Sequence, residues 1–200
     1  VMMLLMCFMQ ARVVLGRFEE TVQVLVYQAD LNRLAESDPL TGLDNRLRFD
    51  RMLAELKEGG APFALLLADL DGFKAVNDRH GHLAGDAVLV EVAQRLRKAL
   101  PAAASVARLG GDEFAVLAPL AGEDAQGLSQ AIRTALNRGH VSDGLDLPIA
   151  SSLGCALYPA DAVSTRELKH LADERLYADK ARNRMVRADV PDRTALADVA

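Results

Sequence analysis

Tryptophan is absent from this sequence, and aromatic residues make up only 4% of it. Hydrophobic residues reach 50%, so a real core can be buried, but it must be aliphatic. Cysteine is nearly missing. Cys7 and Cys155 are far apart and unlike in setting, which excludes a disulfide framework and fits a reducing cytosol. No spacing suits zinc, because His80 and His82 have no third ligand nearby in sequence. There is no excess of positive charge: the net charge is −5 and the charges are interspersed. A surface that coats nucleic acid would be basic, so no nucleic-acid partner is expected. No internal repeat is present.

No run is long enough to cross a bilayer alone. Val1 to Met9 is apolar throughout, but a helical span takes about 20 residues. No charged segment precedes it, which argues against an ordinary signal peptide. Residues 1–14 are expected to form the cytoplasmic end of a transmembrane helix, with Arg12 and Arg17 at the inner face. The alternatives are a helical dimer seam or a mis-started terminus. From Leu15 the spacing turns helical. Leu15, Phe18, Val22, Leu25 and Ala29 step by three and four, an a/d seam that Leu31 and Leu34 then interrupt as a stutter would. Residues 15–36 are therefore expected to form a parallel two-stranded coiled coil, set against the reading of one amphipathic helix packed on the domain.

Ser37-Asp38-Pro39 ends that helix. Asp44 is the N-cap candidate for a helix through Phe49, Met52, Leu53 and Leu56, which Gly59-Gly60 stops. Phe63 to Ala68 is a continuous apolar run, as expected of a strand buried on both faces. It ends in Asp69-Leu70-Asp71. A carboxylate held by the end of a buried strand is a candidate site group, although Asp71 reads equally well as a turn residue. A short helix over Gly72–Asp78 and a loop through His82 come next, and Gly85-Asp86 opens the following helix. Later elements are a helix over Glu123–Arg138, a strand over Leu147–Leu157 and a helix over Thr165–Arg184. Residues 188–200 read as a disordered tail. The element order predicts an α+β domain with a mixed sheet.

Between two strand-like runs lies Arg108-Leu109-Gly110-Gly111-Asp112-Glu113-Phe114, read as a hairpin with a Gly-Gly turn. Adjacent carboxylates at a turn repel each other. A divalent cation with a phosphate behind it would give them a reason to be there. A solvated acidic hairpin tip is the plain alternative, and the rest of the chain decides between the two.

Several further blocks occur in order: Asp38-Pro39-Leu40-Thr41-Gly42-Leu43 with Asn45-Arg46; Asp69-Leu70-Asp71, Phe73-Lys74, Asn77-Asp78, Gly81-His82 and Gly85-Asp86; and Leu176-Tyr177, Lys180 and Arg184. Together with the Gly-Gly-Asp-Glu-Phe run, they resemble the GGDEF family of diguanylate cyclases over roughly residues 37–187. The resemblance implies a palm-like, mainly antiparallel central sheet flanked by helices. It implies condensation of two GTP into cyclic di-GMP and two pyrophosphates by a homodimer held through the N-terminal helix. It also implies a cytoplasmic catalytic domain, tethered to the inner membrane if an upstream segment attaches it there.

Carried over by position, the resemblance gives Asp69, Asp112, Glu113 and the Leu70 carbonyl to Mg²⁺ or Mn²⁺. Glu113 would also help activate the 3′-hydroxyl. Asn77 and Asp86 would read guanine, while Phe73, Lys74, Lys180 and Arg184 would hold the β- and γ-phosphates. A catalytically inactive GTP or cyclic di-GMP sensor is the alternative function. Two departures stand out. The last block usually reads Lys-x-x-Gly-Arg-Asn, but here Asn183 takes the glycine position. The Arg-x-x-Asp motif through which many members bind product is Pro101-Ala102-Ala103-Ala104 here, so product feedback through that site is not expected.

Overall fold

The computed structural model describes Arg12, Val22, Gln23 and residues 35–120, 125–137, 140–142, 145–147 and 150–188. The chain divides into two units, Val1–Ser37 and Asp38–Ala200. The expected membrane end, the coiled-coil seam and the tail beyond residue 188 lie outside the described residues, apart from isolated positions. Among the described residues, no helix is long and apolar enough to cross a membrane.

In the second unit the order is α1 (Arg46–Gly59), β1 (Phe63–Asp71), α2 (Phe73–His80), α3 (His82–Ala99), β2 (Ser105–Gly110), β3 (Glu113–Pro119), α4 (Ala125–Leu136), β4 (His140–Ser142), β5 (Leu145–Leu147), β6 (Ala150–Tyr158) and α5 (Thr165–Ala188). The main sheet runs β2-β3-β1-β6, and β4 pairs with β5 in a separate two-stranded sheet. Each neighbouring pair in the main sheet is antiparallel. The sheet is therefore not mixed. β1 and β2 do point the same way across the α2–α3 crossover, but β3 inserts between them. This is a split βαβ arrangement, and it gives the α+β, palm-like fold.

Side chains on β1 alternate between two cores, as the pleat requires. Ala64, Leu66, Ala68 and Leu70 enter one core with Val88, Val92 and Leu96 of α3 and Ile132 of α4. Phe63 and Leu65 enter the other with Phe49 and Leu53 of α1 and Leu168 and Ala172 of α5. Both faces of β1 are covered, which is why its sequence reads as a continuous apolar run. On the α5 side, the odd-numbered row continues into Asp69 and Asp71.

Local chemistry moved some boundaries. The N-cap of α1 is Asn45, whose side chain accepts from the Arg48 N–H. Asp44 is occupied elsewhere. Its N–H donates to the Val106 carbonyl at 3.2 Å, its carbonyl accepts from the Arg108 N–H at 2.8 Å, and its carboxylate accepts from the Ser105 hydroxyl at 2.6 Å. Gly81, at φ 82°, joins α2 to α3 directly. Gly85-Asp86 therefore sits inside the first turns of α3 rather than opening it. The strand expected over Leu147–Leu157 is split between β5 and β6. The last helix reaches Ala188, beyond the expected end at Arg184 and as far as the first residue of the expected tail.

Gly154 sets the spacing between α5 and the sheet. A Cβ there would lie 1.9 Å from the Ala172 carbonyl oxygen and 2.5 Å from the Leu176 nitrogen. Both are backbone atoms that no rotamer change can move. Gly154→Ala is expected to destabilise the domain by about 1–3 kcal/mol, as overpacking does. Urea denaturation would read this as a lower midpoint with an unchanged slope, and an unchanged midpoint would contradict this account of the packing.

Candidate active site

The polar end of β1 opens into a cleft of about 400 Å³. Asp69, Leu70, Phe73, Lys74, Asp112, Lys180 and Arg184 all line it. Asp69 is 8% exposed, and Lys180 Nζ lies 2.7 Å from its Oδ2. The α5 helix supplies this cation because Asp69 stands on the α5 face of the strand. Gly72, at φ 85°, turns the chain sharply from β1 into α2. Gly72, Phe73 and Lys74 line the cleft, which puts the first turn of α2 and its positive dipole end at the cleft wall; among the described residues no side chain caps that start. Such a terminus suits a phosphate.

The hairpin places the other two acids. Glu113 is directly opposite Asp69 in the β1–β3 register and so shares its face of the sheet. The turn residues are Gly111 and Asp112. Gly111 has φ 53°, a left-handed conformation that glycine adopts at little cost. The Leu70 N–H donates to the Asp112 carbonyl at 3.3 Å, fixing the turn to the end of β1. Glu113 is more exposed and lines two adjoining clefts. One of these, about 460 Å³, also includes Asp69, Tyr177 and Lys180.

Two arginines brace the hairpin. Arg108 donates to the Gly111 carbonyl at 3.0 Å and to both Asp38 carboxylate oxygens at 3.2 Å. Asp38 also accepts from the Thr41 N–H at 2.8 Å and the Thr41 hydroxyl at 2.6 Å. Burial alone would raise the Asp38 carboxyl, but the Thr41 hydrogen bonds and Arg108 outweigh it and hold the group below its ordinary range. Arg46 donates to the Leu109 carbonyl at 3.2 Å, and its Nη2 lies 3.6 Å from Glu113 Oε2.

Asp112 is perturbed the other way. Burial first, and the Asp69 charge second, push its carboxyl above the ordinary range, despite Lys180 and Arg108 nearby. A carboxyl whose ionisation is opposed by burial and by a neighbouring carboxylate is a fitting donor for a divalent cation. Among the described residues, no three Asp, Glu, His or Cys side chains form a ready-made cage.

Residues 35–186 match the family described as diguanylate cyclase, GGDEF domain. The chain belongs to this family. It is 43% identical over 163 residues to the diguanylate cyclase TpbB of Pseudomonas aeruginosa, a match covering 78% of this chain and 38% of TpbB. It is 42% identical over 161 residues to an uncharacterized signaling protein of Caulobacter vibrioides, covering 76% of this chain and 20% of that protein. The chain thus spans well under half the length of these curated relatives. Among solved structures, the coiled coil and GGDEF domain of DgcB from Caulobacter crescentus, in complex with c-di-GMP, superposes with a TM-score of 0.72 at 30% identity. That match covers 87% of this chain and 95% of the DgcB chain.

The GGDEF fold gathers most of the sequence-derived candidates at one cleft, sets Glu113 in the adjoining clefts, and leaves Asn77 and Asp86 outside its lining. Asn77 and Asp86 lie on α2 and α3. Asn77 packs against Gly85, where an added Cβ would fall 1.9 Å from Asn77 Oδ1, so its side chain borders the α3 backbone next to Asp86. The sequence reading missed Asp38, Arg46 and Asp179 as supports. Asp179 is 4% exposed and accepts from Arg133 Nη1 at 2.8 Å and from the Leu153 N–H at 2.9 Å. A signal for it exists. Positions 168, 172, 176, 179 and 183 form one helical stripe that begins Leu-Ala-Leu and ends Asp-Asn.

The raised Asp112 carboxyl has a consequence for stability. Its ionised form is disfavoured in the folded state. Its contribution is therefore best below the ordinary aspartate range, near pH 4, and is lost as pH rises through the folded value. Asp112→Asn should melt higher than wild type at pH 7 in EDTA, with the gap closing below about pH 4. A variant that melts lower at pH 7 would refute the repulsion.

Proposed function

We propose that this GGDEF domain is an active diguanylate cyclase, condensing two GTP into cyclic di-GMP with release of two pyrophosphates. One observation carries the reading: Asp69 and Asp112 share a cleft with Lys74, Lys180 and Arg184. The acids suit a divalent cation, and the cations suit a triphosphate. In each half-reaction the 3′-oxygen of one GTP bonds to the α-phosphorus of the other. The bond from that phosphorus to the α,β-bridging oxygen breaks, and pyrophosphate leaves with the electron pair.

Asp69, Asp112, Glu113 and the Leu70 carbonyl would hold Mg²⁺ or Mn²⁺, which when bound supplies charge neutralisation at the reacting phosphate and lowers the hydroxyl pKa. Glu113 helps draw the proton from the attacking 3′-hydroxyl. Phe73, Lys74, Lys180 and Arg184 hold the β- and γ-phosphates. Asn77 and Asp86 read guanine, whose N1–H and N2–H donate to a carboxylate as no pair of groups on adenine can.

One cleft serves one GTP, so two protomers face each other. A parallel coiled coil over residues 15–36 would hold them at high effective concentration, and the likeness to the DgcB coiled coil and GGDEF domain supports that arrangement. A cytoplasmic catalytic domain, tethered to the inner membrane by an upstream segment with residues 1–14 as the cytoplasmic end of its transmembrane helix, accords with this reading. Presence of Asp69, Asp112 and Glu113 together favours catalysis over an inactive sensor. Product control through residues 101–104 has no place in the scheme, because this loop offers neither guanidinium nor carboxylate.

The purified chain, given GTP and Mg²⁺, should form cyclic di-GMP, measured by chromatography with pyrophosphate release. Specific activity should rise with protein concentration, and more steeply after deletion of residues 1–36. Glu113→Gln should abolish turnover while leaving the fold intact, and substantial activity in that variant would remove the role given to Glu113. Asp86→Ala should lower GTP use roughly ten- to a hundredfold, since a lost hydrogen bond in a dry pocket costs about 1–3 kcal/mol. It should also narrow the preference for GTP over ATP. Undiminished discrimination would place guanine elsewhere.

A further inference from the structure

The buried stripe of α5 turns polar where it reaches the active-site cleft. Leu168, Ala172 and Leu176 are buried on the apolar core side, with Gly154 allowing their close approach. After Leu176 the next two places on the stripe are taken by Asp179 and Asn183. Asn183 Nδ2 lies 3.2 Å from Asp71 Oδ2, 3.2 Å from the Ser151 carbonyl oxygen and 3.0 Å from Ser152 Oγ. The Ser152 hydroxyl in turn lies 2.9 Å from both Asp71 oxygens. Asp71, Ser152 and Asn183 therefore close a ring of hydrogen bonds between β1, β6 and α5.

Two features give this ring meaning. Asp71 lies two residues beyond Asp69 on the same face of β1, so by position it could pass for another metal ligand. Its carboxylate is instead already met by an amide and a hydroxyl. Asn183 immediately precedes Arg184, follows Lys180 by one helical turn and lines the same cleft as both. A glycine at this position could form none of these bonds.

We propose that Asn183 is a positioning residue. Through Asp71 and Ser152 it fixes the roll and register of the end of α5, so that Lys180 and Arg184 face a triphosphate. Asp71 serves as the anchor of this latch and not as a metal ligand. The inference rests on the assignment of Lys180 and Arg184 to phosphate binding. The helix needs such a tie because its apolar grip ends two turns before Arg184. Helix ends fray without partners, and a shift in roll would carry both cations away from the cleft together.

The test is equilibrium binding of two probes to the full chain in Mg²⁺. One is the unreactive α,β-methylene analogue of GTP, and the other is GMP, which lacks the β- and γ-phosphates. Asn183→Ala should weaken the analogue about tenfold, the scale of a lost hydrogen bond to a charged group, and leave GMP unchanged. Asp71→Ala should do the same, and the double variant should be no worse than either single one, as for groups acting as one unit. Asp71→Asn should keep most of the affinity, because its amide oxygen still accepts from Asn183 and Ser152. Equal loss of both probes, additive losses, or a large Mg²⁺-linked loss in Asp71→Asn would each overturn the latch. Lys180→Ala separates the two levels of argument. If it spares the analogue as much as GMP, the phosphate assignment itself fails. If it weakens the analogue selectively while Asn183→Ala does not, the latch alone fails. Should Asn183→Ala not fold, the Asp71 variants decide by the same criteria.

Discussion

A strand buried on both faces that ends in acidic residues imposes the main constraint on this domain. β1 has helices on either side, so its carboxylates can be tolerated only where they meet cations, hydrogen-bond donors or open water. The pleat puts Asp69 and Asp71 on the α5 face. Everything that answers them must then come from α5, from β6 or from the hairpin across the sheet. Lys180 answers Asp69, Ser152 answers Asp71, and Glu113 arrives opposite Asp69 because the ladder has no choice of register there.

Charge around the hairpin is balanced by residues outside the signature run. Arg108 ties the turn to the loop at Asp38, and Arg46 ties Leu109 to the start of α1. These contacts are made mostly to backbone carbonyls and to acids away from the cleft. Asp112 is therefore left only partly neutralised, and its carboxyl is raised first by burial and then by the Asp69 charge. A site built to receive a cation is expected to hold uncompensated charge of this kind, at some cost in stability.

Much of the fold was legible because it rests on periodicity. The apolar run Phe63–Ala68 had a single geometry, and the hairpin was legible too, although its turn falls at Gly111 and Asp112 and not at the two glycines. Clustering of the site was less so. Asp69, Asp112 and Lys180 are over 100 residues apart at the extremes; strand pairing brings the first two together, and the packing of α5 on the sheet brings the third. Asp44 was misread because its capping potential competed with a bridge to β2, a tertiary contact with no local mark. Asp71 was ambiguous for the same reason, since its partners Ser152 and Asn183 come from other elements. The polar end of the α5 stripe was visible in the spacing, yet Asp and Asn at such positions ordinarily face solvent. Only the depth of burial distinguishes a structural carboxylate like Asp179 from surface decoration.

The close seat of α5 on Gly154 makes the helix a ruler for the active site. Each residue along it advances 1.5 Å and rotates about 100°, and the seat at Ala172 and Leu176 fixes the zero of that scale. Substitutions on the outer face leave the scale intact. A single inserted or deleted residue between Leu176 and Lys180 would not: it would swing the terminal amine of Lys180 from Asp69 towards solvent, and Asp179 and Asn183 would leave their partners in the same rotation. In this segment the length of the chain is constrained more tightly than its composition, so variation should accumulate as exchanges of outward-facing residues and almost never as changes in residue count.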